Sequence, residues 1–318
     1  MLTIPVPSGA PVALPSHDVI AEGADWWTAW NFDVQYLIPV AVLAFLYARG
    51  LTRWENRGRY HSPWRTVSYY TGIVLLVLIY ESPLDRLGEH HFSMHMIQHN
   101  ISMMIIPPLI YLGAPATPVL RGLPRGFRKQ VVSPVLRSPV MRAFWGFLTH
   151  PVVAVVLFAA SQWIWHLGPG YYDLALRDDL VHDIQHISFF AVAMIFWWNI
   201  VDPKPRRSRI RSMGLRIVYF YGAMVPKHIL AAFITFADAP FYPTYERVRL
   251  FLPGTPLQDQ QLAGLLMWVP FGEALNLTVA GIIFAIWWRQ SDQRQREAEA
   301  AREAAREAER AMAATPGA

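Results

Sequence analysis

Cysteine is absent from the 318 residues. Disulfides, CxxC redox chemistry and thiolate metal sites are therefore excluded, and any metal must be held by His, Met, Asp or Glu. Charge is scarce as well. Asp, Glu, Lys and Arg make up 16% of the chain, against about 25% in an average soluble domain, while 53% of residues are hydrophobic. This balance predicts an all-α, polytopic membrane protein with one helical domain. Residues 1–33 contain no Lys or Arg. They lack the charged start and apolar core of a signal peptide, and read as a retained, Pro-rich extracytoplasmic tail ending in an interfacial cluster of Trp26, Trp27 and Trp30. The net charge of +5 does not indicate a nucleic-acid partner, because Lys and Arg fall in alternate loops, as membrane orientation demands.

Seven apolar stretches follow: Val34–Ala48, Thr66–Glu81, Phe92–Leu112, Phe144–Trp165, His182–Val201, Met213–Phe236 and Gln260–Trp288. The first two are short for a ~30 Å hydrocarbon core, which takes about 20 helical residues. The chain thus divides into the tail 1–33, a seven-transmembrane-helix bundle over 34–289, and a charged helical tail over 290–318. The loops after the first, third and fifth stretches carry the cations, among them Arg49, Arg53, Arg121, Arg125, Lys204 and Arg207. The opposite loops are poorer in them. The positive-inside rule then puts the N-terminus outside and the C-terminus in the cytoplasm. From Ser291 to Met312 the chain is rich in Ala, Glu and Arg, with opposite charges three apart such as Glu299 and Arg302, a pattern for a solvated helix.

The third stretch opens with His90, His91, His95 and His99. Spacing of four stacks side chains on one helical face, so His91, His95 and His99 are expected to form a row, with Met103 one turn deeper. The fifth stretch begins with a second pair, His182 and His186, at the same spacing. In the predicted topology both pairs lie at outer helix ends and at matched depth. Imidazoles in a membrane are costly and mark function by default. A metal centre of His95, His99, His182 and His186 is expected, with His91 and His166 as an entry shell nearer water. A ligating His usually donates its other N–H to an acceptor, which makes Asp183 and Gln185 candidate partners. Met94, Met103 and Met267, more often packing residues, and His228 are secondary candidates. Imidazole suits Zn, Cu, Fe and Ni, and added thioether leans toward Cu(I).

Two further features stand apart from the histidines. Glu273 and Asn276, in the seventh stretch, are expected to face the bundle interior. Pro107-Pro108, Pro226 and Pro270 are expected to kink their helices.

Four segments in order carry a resemblance: HMIQHNISMMIIPPLIYLGAP (His95–Pro115), WIWHLGPGYYDLAL (Trp163–Leu176), HDIQHISFFAVAMIFWW (His182–Trp198) and DQQLAGLLMWVP (Asp259–Pro270). The chain resembles the caa3-type CtaG family, multispan cytochrome c oxidase assembly factors. The resemblance implies a non-enzymatic protein of the bacterial inner membrane. It implies copper, as Cu(I), handled at the outer face, with oxidase subunits and an external copper donor as partners. The positions it carries over are His95, His99, His166, His182, His186, Asp259 and Gln260. Two other readings use the same residues. One is a zinc-dependent membrane hydrolase acting on lipid amides, with Asp183 or Asp259 as base. The other is a b-type haem protein with axial histidines.

Overall fold

A computed structural model describes residues 25–55, 57–166, 169–201, 210, 212–248 and 251–282, with isolated residues out to 301. Among them every regular element is helical. The expected tail 1–24, most of the basic loop 202–211 and most of the Ala/Glu/Arg segment lie outside the described residues. Among the described residues four helices are long and apolar enough to cross a membrane: α1 (Val34–Thr52), α9 (Asp179–Trp198), α10 (Met213–Thr235) and α11 (Pro256–Ile282). Three bent pairs raise the count to as many as seven. These are α2 (Pro63–Glu81) with α3 (Pro83–His90), α4 (Phe92–Leu112) with α5 (Ala116–Gly122), and α6 (Pro139–Leu148) with α7 (Pro151–His166). A short helix, α8 (Pro169–Ala175), leads from α7 toward α9.

The molecule is apolar outside and polar within. Phe45, Val67, Val156, Ile187 and Val218 are exposed, whereas His95, Gln98, Gln185, Lys227 and Asn276 are buried. Water-soluble proteins reverse this pattern. Helix α4 sits centrally and packs on α2, α3, α9 and α11, while α7 joins α9 to α10. Below the histidines, Phe158, Phe189, Phe196, Trp197 and Phe220 form the largest apolar core.

Prolines and glycines set the breaks. The expected fourth span, Phe144–Trp165, is not one helix. α6 stops at Leu148, Thr149 leaves the helical conformation, and α7 restarts at Pro151 with a 62° change of direction. Proline disfavours the α region in the residue before it, so His150-Pro151 is a natural break. Phe144 to Leu148 therefore belong to a separate helix. α7 alone has 16 residues, roughly 24 Å of rise. The first stretch continues to Thr52, four residues past Ala48. The second ends in a 45° elbow at Ser82, whose side chain accepts from the Leu84 N–H.

Within α4, residues Ile101–Ile105 form a π turn. Pro107 explains part of it: without an N–H it cannot donate to the Met103 carbonyl. The Trp197 indole N–H takes that carbonyl instead, at 2.9 Å. A second π turn, Val269–Ala274, contains Pro270. Pro226 lies inside α10, which runs unbroken from Met213 to Thr235.

α5 folds back against the last turns of α1. Leu46 and Gly50 on α1 meet Gly122 and Pro118 on α5. The pairing runs in opposite senses along the two helices, so they are antiparallel there.

Candidate metal centre

Two helices deliver the histidines. His91 does not belong to the α4 row, because it is the N-cap of that helix, with extended backbone (φ −135°, ψ 117°). The helical face begins with His95 and His99, whose rings stack at 4.3 Å between centroids. On α9, His182 and His186 are 4.4 Å apart. The two pairs meet. His95 lies 5.3 Å from His186 and 5.5 Å from His182, and His99 lies 4.6 Å from His186. Ring nitrogens of His95, His99 and His186 come within 4.8 Å of one another.

All four nitrogens of His95 and His99 are buried without a hydrogen bond of normal geometry. The Gly88 backbone stands beside His95 but does not close one. Polar atoms removed from water with no partner cost free energy. The Nε2 atoms of His182 and His186 approach to 2.6 Å. Two nitrogens held by one tetrahedral ion at ~2.0–2.1 Å stand roughly 3.3 Å apart, so a change of less than 1 Å in that pair admits an ion. The chemistry and burial of this donor set fit a metal.

A carboxylate joins them. Glu89, buried on α3, lies 3.5 Å from the His182 Nε2. It forms a second cluster with His95 and His182, again within 4.8 Å. Glu89 was not expected from the sequence, where it reads as a loop acid. The elbow at Ser82-Pro83 turns it toward α4 and α9. An acidic cleft of about 40 Å³, lined by Asp33, Asp85, Asp179 and Asp183, ends at His182 and His186.

The other candidates do different work. Asp183 faces α1, where it accepts from the Tyr36 hydroxyl and, at 3.4 Å, from Gln35. Gln185 is fully buried, with neither side-chain polar atom hydrogen-bonded. The His91 Nε2 accepts from the Phe251 and Leu252 N–H groups at 2.9 and 3.0 Å. Its Nδ1 faces Asp259 at 3.5 Å. Both nitrogens are engaged, which leaves His91 as a strut for the 251–255 segment. Asp259 accepts from the Ser93 hydroxyl and, at 3.3 Å, from the Ser93 N–H, so α11 caps the amino end of α4. Gln260 accepts from the Phe241 N–H and donates to the Ala239 carbonyl. His228 lies against Asn276, which is buried as expected, and Glu273, which is exposed rather than turned to the bundle interior, near the π turn at Val269–Ala274.

His166 is buried on α7, apart from the four. Its Nδ1–H donates to the Gln162 carbonyl at 2.7 Å, which makes Nε2 the lone-pair nitrogen, and that atom has no partner. Met103 and Met267 line a small cavity with His99 and His166, whereas Met94 does not.

Comparison with known proteins identifies relatives. Residues 45–290 match the family model described as cytochrome c oxidase caa3 assembly factor (Caa3_CtaG). The chain is 31% identical over 85% of its length to uncharacterized protein ML1998 of Mycobacterium leprae (strain TN). It is 32% identical over 84% to uncharacterized protein Mb0105 of Mycobacterium bovis (strain ATCC BAA-935 / AF2122/97). It spans about two fifths of those relatives, 41% and 40% of their lengths. No solved structure matches.

Proposed function

Because the chain belongs to the family of cytochrome c oxidase caa3 assembly factors, we propose that it binds copper with His95, His99, His182 and His186 and delivers it to a haem-copper oxidase. The observation that carries this reading is the convergence of two histidine pairs from α4 and α9, with the ring nitrogens of His95 and His99 buried and unpaired. Copper is the cargo, held as Cu(I), and no turnover is required. The acidic cleft at His182 attracts a cation electrostatically and ends at the two ligands a donor reaches first. Glu89 beside His182 offsets part of the ion's charge. Oxidase subunits and a copper donor on the same side are the partners.

The proposed setting is a bacterial inner membrane crossed seven times, each bent pair counting as one span, with the N-terminus outside. The histidines then open to the outer side. Single cysteines test this. A Cys at Asp178 should react with an impermeant maleimide added to whole cells, and a Cys at Arg207 should not. Labelling in the reverse pattern would put the histidines on the cytoplasmic side.

Deleting the gene should lower the copper content and activity of the terminal oxidase while its subunits are still made, and added copper should restore part of both. Fully metallated, active oxidase in the deletion strain would end the assignment. A zinc hydrolase would use the same histidines with Glu89 as base. Metal analysis of protein purified without a His-tag separates the two, since zinc at one equivalent with no copper uptake favours the hydrolase. Neighbouring rings at 4.3–5.5 Å leave no slot for a haem plane between them.

A further inference from the structure

Beneath the four histidines, α4, α7, α10 and α11 enclose a second chamber of about 10 Å³. That is about the volume open to one water-sized particle. His99 lines it from one side, so the chamber adjoins the metal centre. His166 also lines it, together with Met96, Met103 and Met267. Its tautomer is fixed by the bond to Gln162, so an unshared Nε2 lone pair remains in a side chain 6% exposed. Lys227, buried on α10, completes the wall and donates to the Phe271 carbonyl at 2.9 Å.

We infer that this chamber is a separate site for one soft monovalent cation, Cu(I) or Ag(I), held by His166 Nε2 and the sulfurs of Met103 and Met267. Thioethers with imidazole select soft ions. Among the described residues no carboxylate lines the chamber, so none of them offsets the charge of a divalent ion there. The cost of desolvating an ion grows with the square of its charge. Any positive charge on Lys227 repels a dication twice as strongly as a monocation. Both effects favour Cu(I) over Zn(II) and Cu(II). His99, facing both compartments, gives the ion a route from one to the other. That transfer role rests on the copper function proposed above, whereas binding in the chamber does not.

Full-length protein loaded with Cu(I) against a competing chelator should bind two equivalents. X-ray absorption at the copper edge should show sulfur as well as nitrogen neighbours. The Met103→Leu/Met267→Leu double variant, close in volume to the original, should lose one equivalent and the sulfur signal while keeping the nitrogen-bound ion. Absence of sulfur in the fully loaded wild type would overturn the inference, whatever the variant's folding. So would sulfur that persists in the variant, or loss of both equivalents together. The two readings fail differently. If the four histidines do not bind, no nitrogen-only ion appears, yet His95→Ala/His182→Ala protein still holds the sulfur-bound one.

Discussion

His95→Ala and His182→Ala should each abolish most high-affinity Cu(I) binding at the histidine centre, and the double variant should be little worse than either. The reason is shared coordination. The two residues stand on different helices, α4 and α9, with rings 5.5 Å apart and nitrogens in one cluster. Removing one ligand leaves an ion with an open position in its coordination shell. Loss of a merely orienting partner costs 10–100-fold in affinity, so loss of a direct ligand should exceed about 100-fold. Residues acting as one unit are not additive. Chelator competition with nitrogen-bound copper as the readout measures this. Half the metal lost in each single variant would mean two independent sites, and unchanged affinity in one would remove that helix from the centre.

Gly50→Val and Gly122→Val should each destabilise the protein by about 2–3 kcal/mol, the upper part of the usual overpacking range. A Cβ added at Gly50 would stand 1.7 Å from the Pro118 carbonyl oxygen, and one at Gly122 would stand 1.9 Å from the Leu46 carbonyl oxygen. Both obstacles are backbone, so no side chain can turn away. The helices would have to separate, forfeiting the close approach that small residues permit in membranes. One displacement relieves both clashes, so the double variant should cost less than the sum. Gly222 provides the opposite sign: its Cβ meets nothing within 4 Å, and Gly222→Ala should be neutral or gain up to about 1 kcal/mol in helix propensity. Thermal unfolding in detergent reads all of these. Equal midpoints for the Gly50 and Gly222 variants would refute the packing argument.

Local spacing made part of this molecule legible and part not. Two i,i+4 histidine pairs and the apolar stretches are short-range patterns: the two pairs meet in the structure, and the stretches fall on helices, the fourth on two of them. His91 fits the same spacing but lies one residue before the helix begins, where extended backbone turns it toward Phe251. Periodicity cannot locate a cap to one residue. Glu89 reaches the centre only because an elbow redirects α3, and no local pattern announces a tertiary turn. Asp183 was assigned to the histidines through its neighbours in sequence, whereas its side chain leaves the helix toward Tyr36. Two signals were present in the sequence. His150-Pro151 marks the break between α6 and α7, and Lys227 is a cation deep within an apolar span.

The cap on α4 has a consequence in time. Ser93 is held by Asp259, which lies 166 residues later in the chain. While the protein is being synthesised, the helix that presents His95 and His99 lacks this cap until α11 has been made. His182 and His186 likewise arrive well after their partners. A nascent chain therefore cannot present the four histidines in their finished geometry. On the copper function proposed above, loading follows completion of the bundle, so the rate at which copper enters is separable from the rate at which the chain is translated, and a cell starved of the metal would accumulate a complete, empty protein ready to be filled.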